Sequence, residues 1–227
     1  MKVLITGTSG GIGKAAAIRF LKENHEVYGI DILPDSISGE KGILNSHLYR
    51  HFIADISEAS SLPEISGIEI LVNNAGIQTD SEKDMEVNLL GAMYVTEKYA
   101  FQPCIRSVVF NASVSALTGN EFKFYVMSKS GLVGYMKYCA IKLANQFKAT
   151  CNALCFGGVL TELNYPVTED ENLFQKIMDV TPLKRWATPE EAADWIYFIS
   201  VVNQFCTGQA IDISGGERNA LDLFVWK

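Results

Sequence analysis

Much is scarce in this chain of 227 residues. No apolar run approaches the length of about 20 residues that a membrane-spanning helix needs. Basic residues form no cluster, and the formal net charge is -7. Neither a phosphate backbone nor an anionic bilayer would be attracted, so no nucleic acid or membrane partner is expected. Met1–Thr6 runs straight into a glycine-rich loop. It has no basic region, long apolar stretch or small-residue cleavage site, and does not read as a secretory leader. The 3 histidines, His25, His47 and His51, stand apart from the motifs described below and are expected at surface or edge positions. No histidine–carboxylate cluster suggests a metal. The five cysteines (Cys104, Cys139, Cys151, Cys155, Cys206) form no Cys-x-x-Cys pair and lie in apolar stretches. They are expected to be buried free thiols, which suits a reducing cytoplasm, with Cys151 and Cys155 on one face of a strand.

Turning to what is there, 48% of the residues are hydrophobic and 20% charged. One well-buried domain spanning 1–227 is expected. Short β-branched runs alternate with longer amphipathic segments. The strand candidates are Lys2–Thr6, Glu26–Asp31, Tyr49–Ala54, Glu69–Asn73, Ser107–Ala112, Ala149–Phe156 and Gln209–Ile213. Several are nearly continuous apolar runs, the mark of strands covered on both faces. Helix candidates lie near Ile12–Glu23, Met85–Phe101, Tyr125–Gln146, Glu171–Asp179 and Pro189–Val201. Thr188-Pro189-Glu190-Glu191 is a capping box with proline at the first helical position. The alternation implies a doubly wound Rossmann-type α/β domain with about seven parallel strands.

The first strand opens into Thr6-Gly7-Thr8-Ser9-Gly10-Gly11-Ile12-Gly13 and then a helix. Glycines allow a sharp turn and let backbone N–H groups approach a pyrophosphate, where the helix N-terminus adds partial positive charge. The second strand ends at Asp31, 18 positions after Gly13. A carboxylate there accepts from both adenosine ribose hydroxyls and repels a 2′-phosphate, so NAD is expected over NADP. Ile32 follows in place of an arginine, and Lys14 reads as an exposed, solvated side chain.

With this loop in hand, the chain resembles the classical short-chain dehydrogenase/reductase family over nearly all of its length. The loop matches the family's T-G-x-x-x-G-x-G. Asp55-Ile56, Asn73-Asn74-Ala75-Gly76, Val87-Asn88-Leu89, and Thr207-Gly208-Gln209 followed by Gly215-Gly216 match further family motifs in the family's order. The resemblance implies a catalytic serine at the end of the fifth strand and a Tyr-x-x-x-Lys at the start of the next helix. It also implies cofactor contacts from Gly7, Ser9, Gly11, Ile12, Gly13, Asp31, Ile32, Asp55, Ile56, Asn74, Ala75, Gly76, Tyr125, Lys129, Val159 and Thr161.

Tyr-x-x-x-Lys occurs three times, as Tyr94/Lys98, Tyr125/Lys129 and Tyr138/Lys142. Only Tyr125 follows the strand that delivers Ser113, 12 positions earlier, where the family's usual gap is one longer. Ser113 is preferred over Ser115 because it directly ends the apolar run. Tyr138 lies on the helix of Tyr125 but about 220° around its axis and roughly 20 Å along it, out of reach of the same site. The two other tyrosines are expected to be partly buried or at interfaces; Met136 and Tyr138 are either outward apolar positions for an interface or internal core. A lysine at i+4 shares the tyrosine's helix face. Its ammonium, with the nicotinamide charge, would favour phenolate and turn a poor base into a useful one. By resemblance Asn88, Ser113, Tyr125 and Lys129 then form the catalytic set of an NAD(H)-dependent oxidoreductase interconverting a secondary alcohol and a ketone, assembled as a homodimer or homotetramer. A 3-oxoacyl-thioester reductase and a non-catalytic dinucleotide-binding sensor or scaffold are the alternatives.

The chain departs from the family pattern in three places. Phe156-Gly157 stands for the usual Pro-Gly, which puts the nicotinamide-side turn in question. Residues 77–87 are fewer than usual, implying a truncated helix. The stretch 162–185, acidic at Glu169-Asp170-Glu171 and carrying Tyr165, Phe174, Met178 and Trp186 nearby, is expected to form a substrate lid.

Overall fold

A computed structural model describes residues 1–219. The strands are β1 (Lys2–Thr6), β2 (Glu26–Asp31), β3 (Tyr49–Ile53), β4 (Ile70–Asn73), β5 (Ser107–Ser113), β6 (Thr150–Phe156) and β7 (Ala210–Ile213). The helices are α1 (Gly11–Lys22), α2 (Ala92–Tyr99), α3 (Ser115–Thr118), α4 (Lys123–Phe147), α5 (Tyr165–Thr168), α6 (Glu171–Val180) and α7 (Pro189–Tyr197). Met85–Gly91 and Phe198–Val202 are π-helical, so each long helix expected there changes winding within its length. The strand order β3-β2-β1-β4-β5-β6-β7 is parallel throughout. The chain reverses its direction of build between β1 and β4, and a crevice opens there at the carboxyl ends of the strands.

Side chains alternate across the sheet and feed two cores. Leu4, Leu71, Val108, Phe110 and Ala153 face one side, with Val95 of α2 and Leu132, Met136 and Leu143 of α4. Val3, Ile5, Val72, Val109 and Leu154 face the other, with Phe20 of α1 and Ile196 of α7. Each such side chain contributes about 1.5–3 kcal/mol on burial. Cys151 and Cys155 fall on the first face, as their spacing required. All five cysteines are free; Cys104 and Cys206 are only half-buried.

One surface expectation fails, and an open alternative is decided. His25 is buried between the rings of Phe20 and Tyr197, with centroids 5.7 and 6.0 Å away, because the turn after α1 folds it under the helix. Met136 is fully buried, since its face of α4 lies on β6, whereas Tyr138 is half exposed. His47 is exposed, and His51 is half-buried on the edge strand β3.

The start of α7 follows its sequence signature. Thr188 Oγ1 accepts from Glu191 N at 3.2 Å, and the Glu191 carboxylate accepts from Thr188 N at 2.9 Å. Arg185 grips the same carboxylate at 2.7 Å, and with that backbone bond holds its pKa at about 2. Replacing Thr188 with Ala is expected to lower stability by about 1 kcal/mol, read by urea denaturation; an unchanged midpoint would contradict the role of the cap.

Candidate active site

The cleft at the carboxyl edge has a volume of about 560 Å³. Gly7, Gly11 and Ile12 line its floor, Asp31, Ile32, Asp55 and Ile56 one end, and Asn74, Ala75, Gly76 and Thr161 the other. Gly7 takes φ 75°, and an added Cβ would lie 2.8 Å from Asn74 Nδ2, so this position needs glycine on both counts. Gly13 is not in the wall. It lies beneath the loop, where a Cβ would strike the Gly7 carbonyl and the Asn74 amide. Ser9 contributes its backbone, whose N–H donates to Asp31 Oδ2 at 2.9 Å. Helix α1 has no side-chain cap and no acidic residue in its first turn, which leaves its N–H groups and partial positive charge facing the cleft.

Asp31 ends β2, and its other oxygen accepts from Leu33 N at 2.9 Å. Each oxygen keeps lone-pair capacity for a further donor. Lys14, the nearby cation of α1, is paired with Glu40 at 2.5 Å. Asp55 accepts from the backbone and hydroxyl of Ser57, at 2.9 and 2.7 Å.

Opposite the loop, Asn74 ties three strands together. Its Nδ2 donates to Thr6 O at 2.8 Å and Gly7 O at 3.2 Å, and its Oδ1 accepts from Asn111 Nδ2 at 2.6 Å. Thr6 Oγ1 accepts from the backbone N–H groups of Asn74 and Ala75, each at 3.0 Å. The Asn111 carbonyl then receives Lys129 Nζ at 2.9 Å. Asn111 was not foreseen as a site residue; the one signal was an amide inside an otherwise apolar strand.

Lys129 and Tyr125 share a face of α4, with Nζ 5.6 Å from the phenol ring centroid. Burial of Lys129 lowers its pKa to about 8. Burial also pushes the Tyr125 phenol well up, and the Glu121 and Asp84 carboxylates add to this, while the Ser113 hydroxyl pulls it down. The expected depression of the phenol called for the Lys129 ammonium together with a nicotinamide charge; in the ligand-free protein desolvation is the dominant influence and the phenol stays high. Ser113 ends β5, and its Oγ also accepts from Ser115 N at 3.1 Å. Ser115 Oγ is buried with no hydrogen-bond partner among the described residues.

Asn88 is buried on the π-helical segment. It exchanges two bonds with the Ile77 backbone, each 2.8 Å, and donates to Ser128 Oγ at 3.1 Å, next to Lys129. The rival pairs lie elsewhere: Lys98 reaches Glu64 at 2.7 Å, and Lys142 covers the Tyr138 ring at 4.3 Å. Phe156 continues β6 in place of a proline, buried, with its carbonyl accepting from Val114 N at 2.8 Å beside Ser113. Val159 is buried and bridges to Ala187, outside the cleft wall.

The start of the stretch expected as a lid, Glu162 and Leu163, lines the cleft wall. Beyond it, Met178 and Trp186 are buried, and Phe174 meets Trp186 edge-on at 5.1 Å. Those side chains pack the segment down, while Tyr165 is half exposed.

A family model described as enoyl-(acyl carrier protein) reductase matches residues 7–217. A 3-oxoacyl-(acyl-carrier-protein) reductase of Buchnera aphidicola subsp. Schizaphis graminum is 31% identical over 242 residues, covering 94% of this chain and 95% of that protein. An L-rhamnose 1-dehydrogenase (NAD(P)(+)) of a Sphingomonas species is 30% identical, with 94% of each chain covered. Among solved structures, a 4-hydroxyisoleucine dehydrogenase complexed with NADH superposes with a TM-score of 0.84 at 26% identity, covering 96% of this chain and 98% of that one. The chain belongs to the short-chain dehydrogenase/reductase family, and it is an oxidoreductase.

The geometry of the loop is directly testable. Gly13→Ala is expected to cost about 1–3 kcal/mol or more, because the methyl meets backbone that cannot give way. Gly10→Ala, whose methyl would come no closer than 3.6 Å to its neighbours, is expected to stay near wild type. Equal thermal unfolding temperatures for the two variants would refute this reading of the loop.

Proposed function

We propose that this protein transfers hydride between a secondary alcohol or its ketone and NAD(H), with Asn88, Ser113, Tyr125 and Lys129 as the catalytic set. The observation that carries the reading is the juxtaposition of Tyr125, Ser113 and Lys129, with Lys129 Nζ next to Gly76 in the wall of the cleft that the glycine loop floors. The cleft fits a dinucleotide: an open helix N-terminus suits the pyrophosphate and a carboxylate at the end of β2 suits the ribose. When bound, the nicotinamide supplies the hydride chemistry and a positive charge.

The chain's own residues handle position and the proton. Ser113 Oγ holds the reacting oxygen against the Tyr125 hydroxyl. Tyr125 takes the alcohol proton, or returns it to the carbonyl. Lys129 keeps positive charge beside the phenol. Asn88 secures the Ile77 backbone against α4, so that the wall beside Lys129 holds its shape. The segment after Thr161 serves as a lid, and the half-exposed Tyr138 belongs to an interface between copies of the chain. Five free thiols are in keeping with a reducing compartment.

Tyr125→Phe is expected to reduce turnover at least about a hundredfold while leaving dinucleotide binding intact, measured by an NADH-linked screen over alcohol and ketone classes with this variant as the blank. Full turnover by Tyr125→Phe would end the proposal, and NADH binding without turnover of any class by the wild type would favour the sensor reading. NADH is expected to bind more tightly than NADPH, because Asp31 repels a 2′-phosphate and Lys14 is engaged by Glu40. The double substitution Asp31→Ser, Ile32→Arg should reverse that order in a fluorescence titration; tighter NADPH binding by the wild type would contradict it.

A second reading, reduction of a 3-oxoacyl thioester, is favoured by the 31% identical relative. The net charge of -7 opposes docking of an acidic carrier protein. Comparison of a free ketone with a 3-oxoacyl thioester as substrate separates the two.

A further inference from the structure

A closed ring of hydrogen bonds runs from His51, on the edge strand β3, through the carboxylate of Asp31. His51 Nε2 lies 2.9 Å from the Leu33 carbonyl, which can only accept, so Nε2 carries a proton. In the neutral imidazole, Nδ1 then accepts from the Tyr49 hydroxyl at 2.8 Å, and the Tyr49 oxygen accepts from Thr8 Oγ1 at 2.7 Å. Thr8 adjoins Ser9, whose N–H donates to Asp31 Oδ2, while the Leu33 N–H donates to Asp31 Oδ1, each at 2.9 Å. Both oxygens of Asp31 are thus held by the two backbone segments that Tyr49 and His51 tie together. Gly29 of β2, paired in register with His51, clears the path. A Cβ there would collide with the Tyr49 hydroxyl and with Thr8 Oγ1. A glycine inside a strand weakens it, and here the missing side chain lets a hydroxyl of β3 reach across β2 to the glycine loop.

Taking the dinucleotide reading of the cleft and of Asp31 above as given, we propose that Tyr49 and His51 are positioning residues for the adenosine half of the site. They hold Leu33 and the glycine loop at the separation that aims the Asp31 carboxylate at the ribose. Neither side chain lines the cleft, so their action passes through Asp31. The same two segments are also joined nearer the surface. Ser9 Oγ donates to the Pro34 carbonyl at 2.9 Å and the Leu33 carbonyl at 3.3 Å, and Ser36 Oγ donates to the Ser9 carbonyl at 3.0 Å. Water competes for the exposed bonds of Ser9. The bond between Thr8 and Tyr49 is buried, and the Tyr49 ring is packed in the core beside Val27 and Ile37, so this arm is the rigid one. The Leu33 side chain is exposed, which leaves backbone hydrogen bonds, and not packing, to fix its segment.

The test is a double-substitution cycle on NADH affinity, read by fluorescence titration of the full chain. His51→Ala removes both bonds of the imidazole, and Tyr49→Phe removes only the hydroxyl. Each is expected to weaken NADH binding about five- to tenfold. In an Asp31→Ala background no carboxylate is left to aim, and the same substitutions are expected to change affinity by less than about twofold. A merely structural role would weaken binding equally in both backgrounds. His51 is half-buried on an edge strand, and its variant carries the test if Tyr49→Phe does not fold. Wild-type affinity in either folded variant, or the same loss with and without Asp31, overturns the proposal and leaves the dinucleotide reading standing. A wild type that binds no NADH overturns both.

Discussion

The site depends on one asparagine side chain lying across the carboxyl edge of the sheet. Asn74 donates into the carbonyls at the end of β1 and accepts from Asn111 on β5, so three adjacent strands end in register around one amide. The bond to Gly7 fixes the first turn of the glycine loop and hence the direction in which α1 presents its N-terminus. The bond from Asn111 fixes the peptide that receives Lys129. A buried network of this kind is costly when a member is missing, because each partner is then left unsatisfied. The phosphate loop and the ammonium therefore keep a constant separation through a chain of short hydrogen bonds, with no flexible element between them.

Electrostatics at the other end of that chain oppose the chemistry until a ligand arrives. Burial raises the Tyr125 phenol and lowers the Lys129 ammonium, each toward its neutral form. With Lys129 Nζ 5.6 Å from the ring, desolvation still dominates and the phenol stays high in the ligand-free protein. A cationic ring brought into the cleft acts in the opposite sense, favouring phenolate. In the ligand-free protein the Tyr125 phenol stays neutral.

The parts of the fold readable from sequence are those set by local rules. The ends of β1 and β2 agree with the apolar runs, and the capping box places the start of α7. The glycine loop and the Tyr125 pair were readable because close backbone approach and an i+4 spacing are local too. His25 was misjudged, and Met136 stayed undecided, because burial is decided by what a face packs against, and one short turn or one helix rotation reverses it. Asn111 left only the trace of an amide inside an apolar strand: its role comes from residues far along the chain, Asn74 and Lys129.

The shortened gap between Ser113 and Tyr125 shows how a deletion is absorbed. The chain makes the single turn of α3, reverses at Gly119 with φ 74°, and must enter α4 at Lys123. With so few residues left, Glu121 takes φ 126°, a conformation costly for any residue with a Cβ. The turn that results aims the Glu121 carboxylate toward the phenol, and Gln78 Nε2 holds it at 2.9 Å. Gln78 itself belongs to the other short segment, the one Asp84 closes by accepting from Thr79. The two shortened loops thus meet through the Gln78–Glu121 bond, in the neighbourhood of Tyr125. Both carboxylates, Glu121 and Asp84, raise the phenol, so any conversion to phenolate has to overcome them as well as desolvation.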